Sequence, residues 1–125
     1  MARVQVVDDD DLIRLALETL FLDEGFDVRA AHHGLEALAQ LDGWRPDVIL
    51  LDLMMPHMDG WTFRAQQRQR LDVADVPVVV LSGAHESRMR ARELDAAAVL
   101  TKPFQLDEIV ATVRRIITDS SRAQE

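Results

Sequence analysis

Four apolar runs in this chain each end, on their C-terminal side, in a chemically reactive group. Residues 4–7 run into Asp8-Asp9, residues 48–51 into Asp52, residues 78–81 into Ser82, and residues 96–100 into Thr101-Lys102. These β-branched runs alternate with segments of helical period, a pattern that predicts βαβ units around a parallel sheet. Open parallel sheets bind ligands in the crevice beyond the carboxyl ends of their strands. Carboxylates, a hydroxyl and an ammonium are therefore expected to meet along one edge.

Residues 27–31 alternate polar and apolar, as an edge strand with one wetter face would. Residues 48–51 are continuously apolar, as a central strand covered on both faces should be. The intervening segments predict helices at 10–24, with apolar residues at 13, 16, 17 and 20 and a stop at Gly25, and at 35–41, closed by Asp42-Gly43. A polar helix follows from 61 to about 70, then a weakly anchored one at 86–94, then a strongly amphipathic one carrying Leu106, Ile109, Val110, Val113, Ile116 and Ile117. Residues 120–125 read as a polar tail or linker stub.

A length of 125 residues suits one domain. Fourteen Lys and Arg against twenty-two Asp and Glu leave a net charge of −8, which repels a phosphate backbone and argues against direct nucleic-acid binding. The absence of cysteine removes disulfides and thiolate metal sites. No stretch approaches membrane-spanning length, so a cytoplasmic protein with no membrane contact is expected.

Asp8 and Asp9 on one strand end and Asp52 on another supply the oxygen-rich, partly hydrated site that Mg²⁺ prefers. Three close carboxylates repel one another unless cations sit among them. Lys102 is one candidate cation and is the only lysine in the chain, a compact point charge suited to a phosphoryl oxygen in a narrow pocket. With a metal bound, one carboxylate is free to attack a phosphoryl group while an ammonium and a hydroxyl hold the transferred oxygens. His32, His33 and His57 fall in predicted loops without a partner at ligand spacing and read as surface residues. Trp44 and Trp61 read as packing residues.

The combination of Val6-Val7-Asp8-Asp9-Asp10, Leu51-Asp52-Leu53-Met54-Met55-Pro56-His57-Met58-Asp59-Gly60, Leu81-Ser82-Gly83-Ala84 and Leu100-Thr101-Lys102-Pro103-Phe104 resembles the receiver domain of bacterial two-component response regulators. The resemblance implies an α/β fold, a doubly wound five-stranded parallel sheet of flavodoxin-like order 2-1-3-4-5 with helices on both faces, and a receiver domain over residues 1–119. It implies a phosphorylation-activated switch in which Asp52 accepts a phosphoryl group from a sensor histidine kinase or histidine phosphotransfer protein and passes the signal to a downstream effector or output domain. Asp9, Asp52 and the backbone carbonyl of Met54 would hold Mg²⁺, with Asp8 acting through water. Ser82 and Lys102 would contact the phosphoryl oxygens, and the Lys102-Pro103 bond would be cis. Such a chain catalyses only its own phosphorylation and dephosphorylation. A phosphorylation-independent adaptor and an aspartate-dependent phosphatase are the alternatives; the second usually needs an acid two residues after the nucleophile, where Met54 stands. The chain departs from the family pattern at Val99, where an aromatic residue or His is usual, and at Asp95, where a glycine often closes the fourth helix.

Overall fold

The computed structural model describes residues 1–55, 57–83 and 94–123. Five parallel strands, β1 (Arg3–Val7), β2 (Asp27–Ala31), β3 (Val48–Asp52), β4 (Val78–Ser82) and β5 (Ala98–Thr101), lie in the order β2-β1-β3-β4-β5. Helices α1 (Asp11–Asp23), α2 (Gly34–Gln40) and α3 (Gly60–Arg68) and a C-terminal helix (Leu106–Ala123) connect or follow them. The expected doubly wound order is thus present. β2 takes the edge, while every residue of β3 and β4 is buried. The helix expected at 86–94 lies outside the described residues except for Leu94.

Successive strand residues point to opposite faces, so each strand feeds two cores. Val7, Ile49, Leu51, Val78 and Val80 pack with Ala37 and Leu38 of α2 and Phe63 of α3. Val4, Val6, Val48, Leu50, Val79 and Leu81 pack with Leu17 and Phe21 of α1 and with Ile109, Val113 and Ile116 of the C-terminal helix. Helices on both faces follow from this alternation, because an apolar strand covered on one side only would leave half its side chains in water.

Local chemistry sets the helix ends. Asp10 caps α1, its carboxylate accepting from the backbone N–H groups of Leu12 and Ile13, and Gly25 at φ 89° makes the left-handed turn that ends it. The buried stripe of α1 differs from the expected one: Leu17 and Phe21 are buried, Ile13 and Leu20 are half-buried, and Ala16 faces solvent. Phe21 is drawn inward by edge-to-face contact with Phe26, ring centroids 5.1 Å apart. The C-terminal helix continues through Ala123, so residues 120–123, expected as a polar tail, extend it. β5 starts at Ala98 rather than 96, although Ala97 N–H already donates to Val78 O at 2.8 Å.

Toward the turns that precede β4 and β5, α3 buries polar side chains. Arg64, 6% exposed, donates to the carbonyls of Leu94, Val76 and Asp95 and to Gln67 Oε1 at 2.9–3.3 Å. Gln67, fully buried, donates to Val73 O and Val76 O. Arg64 ties α3 to the turn at Leu94-Asp95, where Asp95 holds a left-handed φ of 54°, at the position where the resemblance implies a glycine. Replacing Arg64 by Met strips donors from buried carbonyls, and the variant should lose on the order of 3 kcal/mol of stability. Urea denaturation measures this; an unchanged midpoint would show the network to be dispensable.

Candidate functional site

The pairing of β1 with β3 sets Val7 level with Leu51, so the next residues, Asp8 and Asp52, emerge side by side. This is where the strand order reverses, since β1 leads to β2 on one side and neighbours β3 on the other. Both carboxylates are buried, Asp8 fully and Asp52 with 4% exposure, whereas Asp9 is exposed at the rim. One carboxylate oxygen from each of Asp8, Asp9 and Asp52 lies within 4.8 Å of the others.

On the far side, β4 and β5 bring Ser82 level with Thr101, and Lys102 N–H donates to Ser82 O at 2.7 Å. The Lys102-Pro103 bond is cis, as expected. Lys102 Nζ lies 3.5 Å from Asp8 Oδ2 and 3.8 Å from Asp52 Oδ1. Ser82, 2% exposed, turns its hydroxyl to Gly83 O at 3.1 Å. Met54 N–H donates to Asp52 Oδ1 at 3.2 Å, while the Met54 residue is 57% exposed beyond it. Asp8, Asp9, Asp52, Ser82, Lys102 and Met54 therefore converge at the carboxyl edge of the sheet.

Burial and the neighbouring acid outweigh the lone ammonium. Desolvation chiefly, with Asp8 and Asp9 adding to it, pushes Asp52 up to about 7 against the pull of Lys102 and the Met54 N–H. Asp8 is likewise raised, mainly by burial, although the Asp10 N–H at 2.9 Å and Lys102 oppose the shift.

The sequence and the fold are those of a known family. A family profile for the response regulator receiver domain matches residues 4–114. The chain belongs to the response regulator receiver family. Response regulator MprA of Mycobacterium avium is 39% identical over 117 residues, which is 92% of this chain and 50% of that protein, and the Mycobacterium tuberculosis MprA matches to the same extent. The receiver chain thus spans about half the length of the curated relatives it matches. The chemotaxis protein CheY4 of Vibrio cholerae superposes with a TM-score of 0.85 at 32% identity, covering 93% of this chain and 98% of that one. NtrX of Brucella abortus, solved in complex with ADP, reaches 0.89 at 27% identity over 99% of this chain but 29% of its own.

The residues of this receiver suit a divalent cation. Asp8 Oδ2 is buried without a hydrogen-bond partner among the described residues, with the Lys102 ammonium 3.5 Å away. Three carboxylates gathered around one ammonium leave negative charge that a hard cation with oxygen ligands would neutralise.

Two contributors escape a reading of motifs. Gly60 opens α3 so close to β3 that an added Cβ would lie 2.8 Å from Leu53 Cα and 2.9 Å from Asp52 O. Arg14 donates to the Asp8 carbonyl at 2.9 Å and fixes the backbone behind that carboxylate. The glycine is visible in the sequence as turn chemistry, but its closeness to Asp52 is not. Arg14 carries no signal at all.

The raised Asp52 has a consequence for stability. The folded receiver keeps the Asp52 proton up to about pH 7, while an unfolded chain gives it up near 3.8. Between those values the native state binds more protons, so this contribution is present at acid pH and lost as pH rises through about 7. Asp52→Asn removes the dependence. In thermal melts without divalent cations, its gain in Tm over wild type should be larger above pH ~7 than below pH ~4. An equal gain at both would contradict the assigned shift.

Proposed function

We propose that this receiver is a phosphorylation-activated switch of a two-component system, with Asp52 as the phosphoryl acceptor. The observation that carries the reading is the placement of one buried carboxylate, Asp52, at the sheet edge that also carries Lys102, Ser82 and the two acids that follow β1. Ionised Asp52 attacks the phosphorus of a phosphohistidine; the new O–P bond forms as the P–N bond breaks, and the leaving imidazole nitrogen takes a proton from solvent. Lys102 meets one transferred oxygen as a point charge, and the Ser82 hydroxyl turns from Gly83 O to donate to another. Asp9, Asp52 and the Met54 carbonyl would hold Mg²⁺, with Asp8 reaching it through water. Mg²⁺ supplies charge neutralisation for the oxygens in transfer. The receiver's catalysis is confined to its own acyl phosphate.

Mass spectrometry after incubation with Mg²⁺ and a small acyl-phosphate donor tests the assignment. One phosphoryl adduct should form on wild type and be missing from Asp52→Asn, Asp9→Ala and chelator-treated protein. Lys102→Arg should be impaired, because a planar fork cannot replace a compact ammonium at this distance. An adduct on Asp52→Asn would overturn the acceptor, and full function of Lys102→Arg would reduce Lys102 to simple charge compensation.

The donor is read as a sensor kinase or histidine phosphotransfer protein in the cytoplasm. Supporting a protein donor, α1 begins directly after the acids and the C-terminal helix shortly after Lys102, and between them lies an open apolar groove of about 410 Å³. It is lined by Leu12, Leu15, Ala16, Leu20 and Leu106, with Leu12 80% and Leu15 61% exposed. Leu15→Arg should slow phosphotransfer from a phosphohistidine protein at least about tenfold while leaving labelling by the small donor intact. Equal loss with both donors would assign the effect to the pocket rather than to docking. The output domain that receives the signal is proposed on the family's two-component role. Among the described residues no helix is long and apolar enough to cross a membrane.

A further inference from the structure

A second cluster of ligand atoms stands apart from the acid pocket, at the turn between β2 and α2. His32 follows the last residue of β2, His33 is the N-cap of α2, and Glu36 lies in that helix's first turn. His32 Nδ1 is 2.5 Å from Glu36 Oε2, and His33 Nδ1 accepts the Glu36 backbone N–H at 3.1 Å. The two rings meet edge to face at 4.3 Å, and one donor atom from each of the three side chains lies within 4.8 Å of the other two. The expectation that these histidines lack a partner at ligand spacing is thereby corrected, the missing member being Glu36, four residues from His32.

We propose that His32, His33 and Glu36 bind a borderline divalent transition-metal ion of the Zn²⁺ class. Two imidazoles and one carboxylate are the donor set of such ions, whereas Mg²⁺ selects oxygen ligands alone. The site is open to solvent, since the His32 side chain is 55% exposed, so an ion can enter and a water can complete its coordination. Glu36 supplies the negative charge that offsets the unfavourable end of the α2 dipole. A metal bound at Nδ1 takes His32 as the neutral tautomer with its hydrogen on Nε2, so the hydrogen bond between His32 Nδ1 and Glu36 Oε2 is exchanged for two metal bonds.

The site also touches the segment that leads from Asp52 to α3. Met58, in the segment leading from Asp52 to α3, packs directly over Gly34, and the His57 ring lies 6.2 Å from that of His33. An ion held at His32, His33 and Glu36 therefore sits where the β2–α2 turn touches the segment that follows Asp52.

Zn²⁺ titration of the tag-free chain in excess Mg²⁺, followed by calorimetry and amide NMR, tests the proposal. One equivalent should bind despite Mg²⁺, with shifts centred on residues 32–36 and including the Glu36 amide. His32→Asn and Glu36→Gln should each weaken binding at least about tenfold. His33→Asn should weaken it similarly while leaving the melting temperature of the metal-free protein unchanged, because Asn still caps the helix. Asp52→Asn should bind Zn²⁺ as wild type does. No uptake in the presence of Mg²⁺, or uptake lost in Asp52→Asn and kept in His32→Asn, would overturn the site.

Discussion

Everything at the carboxyl edge of this sheet depends on burying two carboxylates beside one ammonium. Moving a charged carboxylate out of water costs several kcal/mol, and a single cation at 3.5 and 3.8 Å cannot offset two of them. The imbalance is visible in Asp52, held up to about 7, and in the buried Asp8 oxygen that makes no hydrogen bond. A site left short of positive charge favours a divalent cation. Under the proposed function, a phosphoryl group on Asp52 would add about two negative charges to the same site.

Such a site persists only if the scaffold over-determines it. The frame here is a sheet whose central strands are buried on both faces, with a separate apolar core on each side. Parallel pairing sets Asp8 against Asp52 and Ser82 beside the Lys102 backbone, so the register of the strands does the positioning. Smaller devices close the remaining freedom: Asp10 caps α1 directly behind the acids, Arg14 holds the Asp8 carbonyl, and Gly60 lets α3 rest on the backbone of Asp52 and Leu53. Arg64 extends the same frame to Leu94 and Asp95, joining α3 to the chain that enters β5, and Gln67 joins it to Val73 and Val76 ahead of β4.

The elements differ in how far they could be read in advance. The strands were legible because continuous apolar runs of about five residues allow few other structures, and the reactive groups because they stand at the run ends. The α1 stripe was read with Ala16 inside and without Phe21, since periodicity identifies a face while packing chooses the residues on it; Phe26, five positions on, decides that Phe21 turns in. Residues 120–123 looked like a tail because they are polar, yet a helix already anchored by Ile109, Val113 and Ile116 propagates through polar residues at little cost. His32 and Glu36 went unpaired in the sequence because His32 precedes the helix, where a spacing of four carries no geometric meaning until the turn is folded.

By itself the sequence determined the order of strands and helices, the carboxyl-edge location of Asp8, Asp9, Asp52, Ser82 and Lys102, and the net charge that disfavours nucleic acid. All of these follow from local patterning and composition. Only the tertiary structure decided that Asp8 is sealed while Asp9 stays at the rim, that Lys102 faces both Asp8 and Asp52, and that Arg64 spends its charge on carbonyls rather than on an acid. Those outcomes depend on register and on which neighbours exclude water. Desolvation is a property of the assembled surroundings and not of any residue in the chain.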